Sequence, residues 1–323
     1  MRTYKQLTYE QRCQIEALKK SGMSQQAIAD VIQVSQSSIS RELSRNAGLR
    51  GYRHKQAQQR TQDRRKATAA PRKMTVELRD EIDDKLRLKW SPEQISGWLL
   101  SHKCIDISHE SIYRHVWADK QAGGTLYKNL RRHARKYRVR GSHGKTRSGQ
   151  IKNRVSIDER PLSVDAKMTV GDWEIDTVIG KNHRGALVTI VERVTLFTCA
   201  IRVDCKSAEA VTAATIALLT PYKALVNTIT SDNGKEFAYH EHIAKALDCD
   251  FYFAHPYHSW ERGLNENTNG LLRQYYPKGT DFNTVSDSDV VLSVQQLNDR
   301  PRKTLAFNTA ADLMRKEMAA LAA

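Results

Sequence analysis

The chain has 323 residues, enough for two or three domains that each bury a core. No apolar stretch approaches the ~18 residues that a membrane span needs, and no basic start followed by an apolar run suggests a secretion signal. The five cysteines are scattered, with no CxxC pair typical of a zinc site or a disulfide framework. We therefore expect a soluble protein of the reducing cytoplasm.

The net charge of +16 is distributed unevenly along the chain. Residues 1–160 contain 35 Lys and Arg against 16 Asp and Glu, a net charge of +19, whereas residues 161–323 carry −3. A basic region gains affinity for nucleic acid because neutralising phosphates releases condensed counterions. The N-terminal half is thus predicted to bind a polyanion. Charge alone leaves DNA, RNA, an anionic membrane and a merely solubilising surface open.

Residues 24–45 have the apolar spacing of two short helices separated by a turn at Gln33 and Val34. Ser24 and Ser35 are suited to cap these helices, and a supporting helix is predicted from residue 8 to residue 21. This arrangement is typical of a helix-turn-helix motif, although a glycine is common where Gln33 stands. The second helix would present polar and basic side chains to base edges and phosphates, namely Gln36, Ser37, Ser40, Arg41 and Arg45.

Residues 91–117 repeat this pattern with a longer connection between the helices. Ser91 and Ser108 take the capping positions, and His109 and Arg114 would face DNA. For either copy alone, a plain helical bundle is an equal alternative. Repetition within so basic a region favours two DNA-binding units.

The resulting domain prediction has five segments. It comprises a first helix-turn-helix domain (1–50), a basic linker or exposed helix (51–75), a second helix-turn-helix-like domain (76–130), a basic arm (131–165) and a C-terminal α/β domain (166–323). Within the arm, three arginines are candidates for DNA contact: Arg131, Arg132 and Arg135.

From Gly171 onward the sequence predicts three antiparallel strands, then α-β-α-β-α. This order is that of a ribonuclease H-like domain. Asp176 lies within the first strand, Asp232 at the end of the fourth, and Glu266 on the helix after the fifth. Between the first two acids lie 55 residues, and between the last two lie 33.

Three segments carry a resemblance to a known family: WEIDT, TSDNGKEF and GLNENTNGLLRQYY. They are similar to the segments of DDE transposases and retroviral-type integrases that supply the catalytic acids. With the two helix-turn-helix units, the chain most resembles the insertion sequence thirty family of bacterial transposases. The resemblance implies a multi-domain protein, with all-α DNA-binding units followed by an α/β ribonuclease H-like core.

The resemblance also implies a function and a site. Asp176, Asp232 and Glu266 would hold two Mg²⁺ ions, for which Mn²⁺ could substitute, and would cleave and transfer DNA strands. The partners would be double-stranded DNA, both the terminal inverted repeats and the target, and further copies of the chain in a homodimer or higher oligomer.

Neighbouring residues leave some assignments open. Glu261 has no counterpart in the family pattern, and Asp172 shares the strand alternation of Asp176 and is the weaker alternative to it. Beside the acids, Arg262, Asn269 and Arg273 are candidates for DNA or metal-ligand contacts. A C-terminal segment around residues 297–314 is expected to pack on the core and to bring Arg300 and Arg302 near DNA.

Two other functions compete with transposition. One is a DNA-binding regulator built on an inactive nuclease fold, against which the intact set of acids argues. The other is a ribonuclease H-like nuclease without strand transfer, against which the tandem DNA-binding units argue.

Overall fold

The computed structural model describes residues 6–68, 74–131, 151–256 and 258–322. It divides into two compact units, Met1–Lys73 and Met74–Ala323, which are described in turn. Among the described residues, no helix is both long enough and apolar enough to cross a membrane.

The first unit consists of four helices: α1 (Tyr9–Lys20), α2 (Gln25–Ile32), α3 (Gln36–Asn46) and α4 (His54–Thr68). Ser24 and Ser35 accept hydrogen bonds from the backbone three residues later, so both predicted N-caps are confirmed. Between α2 and α3, Gln33 has a φ of 58°. Glycine is common at such a turn because it adopts a left-handed backbone without the clash of a Cβ.

Helix α4 lies within the segment that was predicted as a basic linker. It packs against α1 and α3, and Ala57 is buried in the same core as Ile15, Ile28 and Ile39. The described part of that segment is therefore built into the first unit.

A buried ion pair joins the helices of the first unit. Arg12 on α1 places its Nε 2.9 Å from Glu42 Oε1 on α3, and both side chains are almost fully buried. The Tyr52 hydroxyl donates to the same oxygen at 3.0 Å, and Arg12 also donates to the Leu7 carbonyl. The pair thus ties α1, α3 and the chain that leads into α4 to one point.

The second unit begins with three helices: α5 (Val76–Arg87), α6 (Pro92–Lys103) and α7 (His109–Gln121). Ser91 and Ser108 cap α6 and α7 as predicted. The helices enclose a core of their own that contains Ile82, Ile95 and Ile112. The repeated helical pattern in the sequence therefore corresponds to a second small helical bundle.

A five-stranded sheet follows, with strands β1 (Asp172–Ile179), β2 (Ala186–Glu192), β3 (Thr198–Val203), β4 (Thr228–Ser231) and β5 (Asp250–Phe253). The strand order is β3-β2-β1-β4-β5. The first three strands form the predicted antiparallel meander, and β4 and β5 run parallel to β1. This topology confirms the ribonuclease H-like prediction.

The remaining helices are α8 (Leu162–Ala166), α9 (Ala208–Leu219), α10 (His240–Leu247), α11 (Gly263–Leu272), α12 (Asp287–Asn298) and α13 (Ala310–Ala322). Helices α9 and α10 cover the main core of the sheet, to which Met314 of α13 also contributes. Helix α11 contacts β1 and β2 and ends at Leu272, four residues before the end of the helix that the sequence predicts over residues 264–276.

The helical bundle of the second unit packs on the C-terminal segment of the same unit. The Phe307 ring lies against the Gly97 backbone, where a Cβ would come within 2.0 Å of the ring. Lys89 Nζ donates to the Gln274 carbonyl at 3.1 Å, and Lys303 pairs with Glu93 at 2.7 Å. The bundle and the sheet domain are thus parts of one unit.

The two arginines that were expected near DNA lie inside this arrangement. Arg300 donates to Gln274 Oε1 at 2.7 Å and to the Tyr275 hydroxyl at 2.6 Å, and Arg302 donates to the Leu297 carbonyl. Burial lowers the pKa of both, that of Arg302 to about 10. The prediction for these two residues was wrong, because their charges satisfy buried acceptors.

Replacing Arg12 with Ala should destabilise the first unit by about 3–5 kcal/mol, because Glu42 would be left buried without its partner. Lys19→Ala, at an exposed position on the same helix, is the matched control. All five tryptophans lie in the second unit, so their fluorescence follows that unit while circular dichroism follows both. We expect an early circular-dichroism transition in urea for Arg12→Ala alone, and equal midpoints for the two variants would contradict the assignment.

Candidate active site

The parallel pairing of β1 with β4 brings the first two candidate acids together. The last paired residues of the two strands are Glu174 and Thr230. Asp176 and Asp232 lie two residues beyond them, Asp176 within β1 and Asp232 directly after β4. Neighbouring strands are about 4.8 Å apart, so the two residues lie side by side where β4 ends.

Both oxygens of Asp176 are held by hydrogen bonds. The Thr177 backbone N–H donates to Oδ1 at 2.8 Å, and Asn269 Nδ2 of α11 donates to Oδ2 at 2.8 Å. The hydroxyl of Thr189 donates to Asn269 Oδ1 at 2.9 Å, which orients the amide so that its NH₂ faces Asp176. The carboxylate is therefore fixed by its own strand, by β2 and by α11.

The guanidinium of Arg262 connects the two aspartates. Its Nη2 lies 3.2 Å from Asp232 Oδ2, and its Nη1 lies 3.8 Å from Asp176 Oδ1. Nη1 also donates to the Ile175 carbonyl at 3.0 Å, and Arg262 is buried. Arg262, predicted to contact DNA, thus occupies the position of a cation shared by two carboxylates.

The surroundings of Asp176 change its proton affinity. Burial raises its pKa to about 6, the opposing charge of Arg262 limits the rise, and the negative charge of Asp232 adds to it. Asp232 is more exposed, and the Gly234 N–H donates to its Oδ1 at 2.9 Å. The two neighbouring carboxylates therefore have different environments.

Glu266 lies on the exposed side of α11. It is three residues before Asn269, whose amide contacts Asp176. Residues at this spacing are neighbours on one face of a helix. Glu266 and Asn269 therefore share a face of α11.

The carboxylates of the aspartate pair are suitable ligands for a hard divalent cation. Carboxylate oxygens are the ligands that Mg²⁺ prefers, and Asp176 and Asp232 already share one positive group. Among the described residues, no three His, Cys, Asp or Glu side chains surround a common point at which a metal could bind. The guanidinium of Arg262 stands between the aspartates, so its displacement would be needed to draw the acids together.

Comparisons with known proteins identify the family. A family model described as a helix-turn-helix domain matches residues 3–46. The transposase for insertion sequence element IS4351 of Bacteroides fragilis is 46% identical over 307 residues, covering 94% of each chain. Transposase InsI for insertion sequence element IS30A of Escherichia coli K12 is 34% identical over 97% of this chain and 84% of its own. The chain belongs to the IS30 family of transposases.

One solved structure similar to this transposase is the catalytic core domain of BIV integrase. It is 19% identical and covers 48% of this chain and 99% of its own, with a TM-score of 0.38.

The second glutamate of the α11 region has a different environment. Glu261 accepts hydrogen bonds from the His255 backbone and from His255 Nδ1, both at 2.8 Å. His255 Nε2 lies 2.9 Å from Asp158 Oδ2. Glu261 thus holds the loop after β5, whereas Glu266 lies on α11.

The weaker alternative to Asp176 lies inside the protein. Asp172 is buried and accepts a hydrogen bond from Thr228 at 2.7 Å. Glu174, also buried, pairs with Arg193 at 2.9 Å and accepts from the Asn265 backbone N–H. Both carboxylates are used in joining β1 to its neighbours.

The structure adds three residues that the sequence interpretation missed. The buried carboxylate of Glu236 accepts from the Thr177 hydroxyl at 3.1 Å and pairs with Lys206 at 2.6 Å. The charge of Lys206 also opposes the rise in the pKa of Asp176. The sequence signal for Glu236 is its place in TSDNGKEF, four residues after Asp232.

The predicted DNA-contacting residues fall into three groups. On α3, Gln36, Ser37, Arg41 and Arg45 are exposed and Ser40 is half-buried; on α7, His109 and Arg114 are exposed. These residues face outward as predicted.

Other candidates contact the protein itself. The guanidinium of Arg273 donates to the Ile179 carbonyl at 3.2 Å, and Asn269 contacts Asp176. Arg131 donates to Asn267 Oδ1 at 3.1 Å, next to Glu266. Arg132 and Arg135 lie outside the described residues.

The two glutamates can be distinguished by a titration. The hydrogen bonds of Glu261 and Asp158 to the charged imidazole raise the pKa of His255. We expect Glu261→Gln to lower that pKa towards the ordinary histidine value, with Asp158 retaining part of the rise. The pKa of His255 is measured by NMR from the pH dependence of its ring-proton shift, which is assigned with a His255→Gln variant. Glu266→Gln is the matched control and should leave the pKa of His255 unchanged. An unchanged pKa of His255 in Glu261→Gln would contradict the assignment.

Proposed function

We propose that this transposase binds the terminal inverted repeats of its insertion sequence and cleaves and joins DNA strands with Asp176, Asp232 and Glu266. The observation that supports the proposal is the aspartate pair beside the end of β4, which shares a cationic group, with Glu266 on α11 on the same face as Asn269, which contacts Asp176. Membership of a transposase family supports the same activity.

The three acids are proposed as ligands of two Mg²⁺ ions. Such a pair, when bound, activates the attacking oxygen and stabilises the leaving oxygen of a phosphodiester. Thr177 and Asn269 would keep the Asp176 carboxylate oriented. With a pKa of about 6, Asp176 is mostly ionised near neutral pH, which metal binding requires. Arg262 would leave Asp232 and could then neutralise a phosphate.

The first unit is proposed to recognise the element ends. Helix α3 presents short polar side chains and two arginines to solvent, and the described part of α4 adds further positive charge. Major-groove readers use such side chains for base edges and phosphates. Pairing two element ends in one complex would take a homodimer or a higher oligomer of this chain.

Incubation with Mg²⁺ and a labelled fragment that carries the element ends tests this proposal. Specific 3′-end nicking together with joined products is the expected result. Nicking without joining would indicate a nuclease, and end binding without nicking would indicate a regulator.

Arg41→Ala should weaken binding to end DNA by about 1–3 kcal/mol, because the side chain lies on the exposed face of α3. The substitution Lys19→Ala removes an equal charge from an exposed position on α1 and is therefore the matched control. A competition gel shift of end DNA against random duplex measures both variants. Equal losses would exclude α3 as the element that reads the ends.

Glu266→Gln should reduce nicking and joining by on the order of 10³-fold or more while end binding survives. Glutamine keeps the size of the side chain but removes the charge that a metal ligand needs. Asp176→Asn and Asp232→Asn should behave alike, because such a site acts as a unit.

The control for this experiment is Glu261→Gln, which should retain substantial activity because Glu261 pairs with His255. Folding is checked by circular dichroism. If Glu266→Gln nicked end DNA at close to the unmodified rate, the three-acid site would have to be abandoned.

A further inference from the structure

A tight turn follows directly after α3 in the first unit. Gly48 and Gly51 exchange two backbone hydrogen bonds of 3.0 Å, which leaves Leu49 and Arg50 at the tip. Gly51 has a φ of 89°, a conformation that favours glycine. We refer to Leu49 and Arg50 as the tip.

Both sides of the turn are anchored in the core. Before it, the buried Asn46 accepts a hydrogen bond from Arg64 of α4 at 2.5 Å. After it, the buried Tyr52 donates to Glu42. A Cβ on Gly48 would come within 2.6 Å of the Gln56 side chain, so α4 also packs closely on the turn. The direction in which the tip projects is therefore set by the fold.

The tip combines an exposed apolar side chain with a strongly basic surface. Leu49 is fully exposed, and Arg50 is exposed beside it. An open depression of about 780 Å³ adjoins the tip, and five basic residues contribute to its lining: Lys20, Arg50, Arg53, Lys55 and Arg60. Its one acid, Glu16, is already paired with Lys20 and His54. The net field at this surface is positive.

We propose that the tip enters the minor groove of DNA beside the major groove that α3 occupies; this rests on the proposed function of α3. The turn begins two residues after α3 ends, so a docked α3 would carry the tip onto the bordering phosphate strand. An arginine suits a narrow, electronegative minor groove, and an apolar side chain can wedge between base steps. The basic depression would follow the phosphates. A contact between two copies of the chain through Leu49 is disfavoured, because it would bring two positive surfaces together.

Hydroxyl-radical footprinting of the full chain on end DNA locates the contact. Wild type should protect minor-groove positions that flank the α3 site, and Arg50→Ala should lose this flanking protection and bind about 5- to 150-fold more weakly. Lys19→Ala removes the same charge from an exposed position on α1, outside the depression, and should keep the flanking footprint.

Base analogues then identify the groove. Exchanging A·T for I·C at the flanking positions changes the major-groove pattern but adds no minor-groove amino group, whereas exchanging A·T for G·C adds one. Wild type should tolerate I·C and lose affinity with G·C, and Arg50→Ala should bind all three duplexes equally.

The outcomes separate this inference from the proposed function. If wild type does not prefer end DNA to random duplex, the assignment of α3 fails. If it does, but Arg50→Ala keeps the flanking footprint, the inference is wrong. A change of sedimentation in Leu49→Ala without any change in the footprint would show a contact between copies and would also overturn it.

Discussion

The parallel pairing of β1 with β4 is the constraint on which the rest of the site depends. It places Asp176 and Asp232 side by side although they are far apart in sequence. Two neighbouring carboxylates repel one another, and the structure offsets this with the guanidinium of Arg262. Arg262 immediately precedes α11, so the same contact sets where Asn269 and Glu266 lie relative to the sheet.

Helix α11 also connects the site to the helical bundle of the second unit. Arg131, beyond the end of that bundle, contacts Asn267, next to Glu266. Lys89 of the bundle contacts Gln274 just after α11. The bundle therefore packs on the segments that support the candidate catalytic helix, in addition to any contact that α7 makes with DNA.

In the first unit, a buried ion pair supports the exposed surface that is proposed to bind DNA. Arg12 and Glu42 hold the inner face of α3, which leaves the outer face with Arg41 and the following tip in a fixed orientation. Preorganised side chains lose less entropy on binding, so such rigidity favours affinity and register on DNA. Arginines in this protein thus have different environments: Arg12 and Arg300 are buried on partners within the protein, while Arg41 and Arg50 face solvent.

Local sequence signals predicted most of the elements. Serine caps and apolar spacing predicted α2, α3, α6 and α7, and alternating β-branched residues predicted the meander, because these patterns act within a few residues. The segments around Asp176, Asp232 and Glu266 likewise indicated which acids to consider. The sequence did not predict that residues 54–68 pack as a helix of the first unit, because most residues of that segment are polar and the buried Ala57 gives no periodic apolar pattern.

The sequence by itself determined most of the helices, the strands and the candidate acids, whereas the tertiary structure decided which charges face solvent. The sequence indicated that Arg262, Arg300 and Arg302 contact DNA. In the structure their side chains are buried and donate hydrogen bonds to acceptors within the protein. Their partners lie on other elements, such as Ile175 for Arg262, so no local pattern identifies them. The physical reason is that burial of a charge depends on partners brought together by long-range packing, whereas helix and strand patterns depend on nearest neighbours.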